Sequence, residues 1–280
     1  MRTTFTSQDG ARLAGEWIFT SKPPRAVAVI HPATGVAGGY YARFAEWLAA
    51  ERQVHVLIYD YRDTGWSGAI PASESRASMS DWGVSDQSAA LDHALDTFSD
   101  LPVWTIGHSL GGMCVTFHRN AHRIARHIAV ASGPANWKRH PLRFMPAVIA
   151  FWFVLGPMLT LLRGYMPGRI LGSSANLPPR VFWQWRRWCT SDGFFRVDWG
   201  RAMPQPEPGR LTCPVELVAF SDDVMIPPSQ VSRLREFFPL ANVSFRTIAP
   251  ETVGLRSIGH IGGFARRSAA AWPRMVPDIA

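Results

Sequence analysis

The chain has 280 residues, 47% of them hydrophobic, and a formal net charge of +8. That length and apolar content supply one large core, with or without an insertion, and exclude wholesale disorder. Arginine carries nearly all of the positive charge, since Lys22 and Lys138 are the only lysines, and Cys114, Cys189 and Cys213 lie too far apart for a disulfide framework or a zinc site.

Residues 3–19 read as a hairpin around Asp9-Gly10, a two-residue turn of the favoured kind. The opening, MRTTFTSQDGARLAGEW, has no apolar core of signal-peptide type, and the cysteine usage fits a reducing compartment, so a cytoplasmic location is expected. AVAVIHPATG (26–35) is a buried-type strand that stops at Pro32. Residues 40–51 place Tyr41, Phe44, Trp47 and Leu48 on one helical face. VHVLIYDYRDTGWSG (54–68) is a second apolar strand with a glycine loop, and residues 84–98 return to helical spacing. PVWTIGHS is a strand, LGGMCVTFH is expected to begin a helix, and HIAVASG (127–133) is a strand. The alternation breaks over 134–200. It resumes with a strand in PVELVAFSDD (214–223), a helix over 229–238, a strand over 243–249 and a helical region from near Gly262. Strands alternating with helices imply an α/β fold, a mostly parallel sheet covered on both faces, with the hairpin as an antiparallel edge.

Gly107-His108-Ser109-Leu110-Gly111 fits the G-x-S-x-G pattern in the context the pattern requires, an apolar strand before it and a helix after it. A tight strand-to-helix turn forces the serine into strained backbone geometry, and side chains two positions before and after would collide. A serine hydroxyl needs a base, and in this architecture the partners follow in the order serine, acid, histidine. A later strand closes on Asp222-Asp223, and beyond it the chain holds one histidine, His260. Asp223 is chosen over Asp222 because it stands four residues before Pro227, the familiar spacing at such a site; Asp222 is then a solvated or loop-bracing carboxylate. The acid would hold the imidazole tautomer and stabilise the imidazolium. Two N–H donors are needed for an oxyanion: Leu110, directly after the serine, and Ala33 in HPATG, since Pro32 has no N–H. His31 is expected to brace that loop.

On these residues the chain resembles the α/β-hydrolases, and in particular a bacterial branch of predicted hydrolases sharing HPATGV, YDYRDTGWS, SMSDWG, GHSLGG, SDDxxxPP and GLRSIGH. The resemblance runs over nearly all of the chain. It implies an α/β-hydrolase fold and a serine-histidine-acid hydrolase, without a substrate. One departure from the wider superfamily is Pro32, where glycine is commoner. Related enzymes that open epoxides or remove halogen carry aspartate where this chain has Ser109. The leading expectation is cleavage of an ester or thioester with a hydrophobic, small-molecule or lipid-like acyl group. A non-catalytic ligand-binding protein on the same scaffold, or a perhydrolase or carbon–carbon hydrolase using the same three residues, are the alternatives. No metal and no organic cofactor is implied.

The expected organisation is a hydrolase core over 1–133 and 201–280 with a helical cap over 134–200. The cap holds nine Lys/Arg against two Asp/Glu and six of the twelve tryptophans. Within it, residues 144–162 run without a charge between Arg143 and Arg163. That length invites a membrane-spanning reading. It is set aside because strands of one sheet lie on both sides and no second span exists. The first reading is two cap helices packed on the sheet's carboxyl edge. The sharper one adds an acyl pocket under the cap and arginines that meet an anionic membrane surface or a phosphorylated carrier. Nucleic acid is not expected, since no recognised binding motif is present.

Overall fold

The computed structural model describes residues 1–172, 175–207 and 209–278. Arg2–Thr6 (β1) and Arg12–Ile18 (β2) form the antiparallel hairpin. Its loop is wider than the expected two-residue turn. Ser7 and Ala11 close it, with the Ser7 N–H donating to the Ala11 carbonyl at 2.9 Å, and Gly10 takes φ +87°. Asp9 turns instead to Arg62, at 2.6 Å.

Ala26–His31 (β3), Val54–Tyr59 (β4), Val103–His108 (β5), Ile124–Val130 (β6), Val215–Phe220 (β7) and Val243–Ile248 (β8) complete one sheet, ordered β1-β2-β4-β3-β5-β6-β7-β8. All pairings from β4 to β8 are parallel. Every residue of β3 and β5 is buried, as continuous apolar runs in a sheet covered on both faces must be. Ala42–Glu51 (α1) and Trp272–Met275 cover one face, where Phe44, Leu48 and Trp272 pack on Ala28, Ile30 and Ile58. Gln87–Thr97 (α2) and the segment after β6 cover the other.

The segment between β6 and β7 adds no strand to the sheet among the described residues. Its main elements are the 19-residue helix Met145–Arg163 (α3) and Pro179–Thr190 (α4). The two pack closely: a Cβ at Gly156 would lie 2.5 Å from the Phe182 ring. Val148, Trp152, Val181, Phe182 and Trp188 join the same hydrophobic cluster as Val29, Leu57 and Leu217 of the sheet, so this segment shares its core with the strands beneath it.

One expected element is absent. After β5 the chain makes two short 3-10 turns, Ser109–Gly112 and Val115–Phe117, where a helix was expected. Two glycines followed by Cys, Val and Thr are poor helix formers, and a Cβ at Gly112 would meet the Ser132 Oγ at 2.4 Å. The chain is therefore held down against β6 rather than winding away from it.

Besides His31, three fully buried histidines lie around this turn. His127 sits between the Thr105 hydroxyl at 2.8 Å and the Gly112 carbonyl at 3.2 Å, and His118 donates to the Gly83 carbonyl at 3.1 Å. Burial pushes His127 down to about 4, and His118 and His108 down to about 3. In an unfolded chain the same imidazoles titrate near about 6.5. On account of these three alone the unfolded state holds up to three more protons at about pH 5. Stability is complete above about pH 7 and falls as the pH drops, by up to about 4 kcal/mol per pH unit where all three contribute. Urea denaturation at about pH 7.5, 6 and 5 reads this directly; a midpoint constant over that range would contradict it.

Candidate active site

β5 ends at His108 and the chain reverses on Ser109, whose φ is +53°. The reversal is possible because a Cβ at Gly107 would stand 2.2 Å from the Gly111 peptide, and one at Gly111 would stand 2.1 Å from the His31 carbonyl oxygen. No side chain fits at either position. A non-glycine residue at positive φ is costly and survives only where its surroundings enforce it.

The Ser109 Oγ lies 3.2 Å from Nε2 of His260. The other ring nitrogen, Nδ1, lies 2.8 Å from Oδ2 of Asp223. A carboxylate only accepts, so Nδ1 carries the proton and Nε2 presents its lone pair to the serine hydroxyl. Asp223 follows β7, and its Oδ1 accepts the N–H groups of Met225 and Ile226 at 2.8 and 2.9 Å. One oxygen is thus anchored while the other orients the imidazole. Asp222 faces away and accepts the N–H groups of Ile258 and Gly259 at 2.8 and 3.1 Å. It is the brace of the loop that carries His260.

A second chain of hydrogen bonds runs beneath. His108 Nε2 donates to the main-chain carbonyl of His260 at 3.0 Å, which leaves Nδ1 to accept from the Tyr41 hydroxyl at 2.8 Å. The same hydroxyl accepts the Ala33 N–H at 2.9 Å. Burial holds His108 neutral and keeps the Tyr41 phenol protonated. Sequence reasoning missed this arrangement, because nothing local joins positions 33, 41, 108 and 260.

It also corrects one expectation. The Ala33 N–H is already taken by Tyr41 and is not free for a ligand. Thr34, the next residue, lines the cavity with Ser109, and its N–H makes no hydrogen bond among the described residues. Among the described residues the Leu110 N–H has no hydrogen-bond partner. With no helix following Ser109, no helix dipole faces the serine, and these local N–H groups stand alone. His31 braces as expected, with Nδ1 2.8 Å from the Tyr59 hydroxyl.

Ser109 and His260 open on a cavity of about 370 Å³. Its walls are mainly apolar, built from Met113, Phe151, Trp152, Leu155, Trp185 and Ile226 among others. No carboxylate lines it among the described residues. His140 is its second imidazole. Its Nδ1 donates to the Val224 carbonyl at 3.2 Å, which leaves Nε2 as an acceptor, and burial lowers its pKa.

Residues 22–181 match the sequence model of the family described as serine aminopeptidase, S33, more than half of the chain. The chain belongs to this hydrolase family. Among curated proteins the hydrolase is similar to two uncharacterized proteins named YfhR, from Salmonella typhi and Salmonella typhimurium. Each is 34% identical over 116 residues, 39% of this chain and 37% of the relative, so the match spans little more than a third of those relatives. Among solved structures it is similar to a soluble variant of monoglyceride lipase from Saccharomyces cerevisiae, with TM-score 0.68, 14% identity and coverage of 97% of this chain and 92% of the other. An esterase from Pyrococcus furiosus gives TM-score 0.62 at 14% identity, covering 98% and 88%. A hydrolase from Pseudomonas aeruginosa gives 0.58 at 16%, covering 99% and 98%. At such identities the likeness speaks for the fold, which is that of an α/β-hydrolase.

Replacing Tyr41 with Phe would strand the buried Ala33 N–H and His108 Nδ1. Y41F should lose about 2 kcal/mol of unfolding free energy, from buried polar groups left without partners. Urea denaturation measures it, and a loss under about 0.5 kcal/mol would contradict the network.

Proposed function

We propose that this hydrolase cleaves carboxylic esters or thioesters of hydrophobic acyl groups, with Ser109 as nucleophile, His260 as general base and acid, and Asp223 as the orienting carboxylate. The observation that carries the reading is the hydrogen-bonded line from Ser109 through His260 to Asp223, opening on an apolar cavity.

The Ser109 Oγ attacks the acyl carbonyl while His260 Nε2 takes its proton. The imidazolium that forms is stabilised through Nδ1–H by Asp223. The developing oxyanion is held by the Leu110 and Thr34 N–H groups, which already point no hydrogen bond elsewhere. His260 then returns the proton to the leaving oxygen or sulfur, an acyl-enzyme remains on Ser109, and a water activated by His260 releases the acid. An aminopeptidase substrate would bring a free ammonium group into the cavity, where a buried cation needs a carboxylate partner. The lining supplies none, which favours a neutral acyl chain. Phe151, Trp152 and Trp185 are large apolar walls for such a chain.

A fluorophosphonate probe should label the wild-type protein and leave S109A untouched. On p-nitrophenyl esters S109A should lose at least about 10⁴-fold in kcat, and D223N about 10³- to 10⁴-fold. In a ladder of acyl lengths offered as oxygen esters and thioesters, kcat/KM should rise from acetyl to longer chains. A wild-type protein that binds long-chain esters without turnover would replace the enzyme by a ligand-binding protein.

A further inference from the structure

α3 is apolar on every side, yet only one stripe of it is covered. Val148, Trp152, Gly156 and Thr160, each four residues from the next, are buried against the rest of the protein. The opposite face carries Val154, Met158, Leu161 and Leu162, all exposed, the last two at 73% and 77%. A helix that is hydrophobic all round is normally buried all round. Here a second apolar face is left to be covered by something else.

The charge around that face says what. No acidic residue occurs from Pro134 to Ser191, while Arg143 and Arg163 flank the helix at its two ends and Arg169 follows beside the exposed Ile170. Among the described residues Arg143, Arg163 and Arg169 make no ion pair. At 1.5 Å rise per residue the two flanking arginines stand about 30 Å apart, so the cations are spread along the face. Arg186 lies over the Phe153 and Trp183 rings at 5.4 and 6.0 Å, adding a basic and aromatic group to the same helix pair. An apolar stripe edged by unpaired cations and tryptophan matches a bilayer interface carrying anionic headgroups.

We propose that α3 docks this protein flat on an anionic lipid bilayer, with Val154, Met158, Leu161 and Leu162 immersed and the arginines on the headgroup phosphates. The helix does not cross the bilayer. Its buried stripe is packed on α4, with Gly156 against Phe182, and the strands before and after it belong to one sheet. Leu155 and Ile170 are at once exposed beside this face and part of the cavity wall above Ser109, so the docked face adjoins the cavity mouth. The docking itself does not depend on the reaction assigned above.

The test is flotation of the whole protein with vesicles of phosphatidylcholine, with and without phosphatidylglycerol, at about 0.1 M and about 1 M salt, where screening shrinks from about 10 Å to about 3 Å. Vesicles with phosphatidylglycerol should carry the wild type at low salt, and removing the anionic lipid or raising the salt should lower binding at least about tenfold. The double variant L161E/L162E lies outside the cavity wall. It should abolish flotation while leaving the melting temperature and the turnover of a short soluble ester unchanged. R143Q/R163Q should weaken binding to anionic vesicles several-fold and keep the fold. No flotation by the wild type, equal flotation with neutral vesicles, or undiminished flotation of L161E/L162E would each overturn the proposal. So would a concentration-dependent dimer that L161E/L162E dissolves in a protein indifferent to vesicles, which would give the face to a second copy of the chain.

Discussion

The contact between Gly107 and the Gly111 peptide is the constraint from which the site is built. Only because both positions lack a side chain can the chain fold back within four residues and hold Ser109 at positive φ. That backbone strain must be held by what surrounds it. Gly111 rests on the His31 carbonyl, Gly112 rests on β6, and His108 is fastened to Tyr41 and to the His260 carbonyl. The strand that carries Ser109 and the loop that carries His260 are therefore hydrogen-bonded to each other directly beside the groups proposed to react. The 3.2 Å approach of Ser109 to His260 is set by packing below the site as much as by the pair itself.

Much of this was legible in the sequence, for identifiable reasons. β3, β4, β5 and β7 are continuous apolar runs, a pattern that survives any detail of packing. The serine, the acid and the histidine were found by order along the chain. Asp223 could be separated from Asp222 by its distance from Pro227, and the structure puts Asp223 on the imidazole and Asp222 on the loop backbone. What could not be read was non-local or context-bound. The stretch after Ser109 has the apolar content of a helix, but Gly111 packs on the end of β3 and Gly112 on β6, and it turns tightly instead. Ala33 was the natural donor by its place after Pro32. Its N–H is diverted by a tyrosine eight residues on that reaches it only through the fold. The uncharged run of α3 could not reveal which stripe would be covered, because a helix apolar on all sides carries no periodicity to read.

The chemistry and the surroundings are matched in polarity. The proposed triad would work through charge that forms and vanishes at one oxygen, and the cavity beside Ser109 and His260 is lined mainly by apolar side chains, with Thr34 and His140 as its further polar residues. Electrostatic groups are few, local and oriented, which is where they act most strongly in an environment poor in water. The basic excess of the chain lies outside this pocket, on the segment that roofs it.

That roof is joined to the strands by one continuous core. Swinging it away as a rigid flap would expose Trp152, Val148 and Phe182 together, so large opening is disfavoured. At the rim of the cavity Leu155 and Ile170 are half exposed, and rotations of such side chains take nanoseconds or less, far faster than the milliseconds of a hinged closure. A roof fixed in this way would leave room for slender, flexible ligands and little for wide, rigid ones.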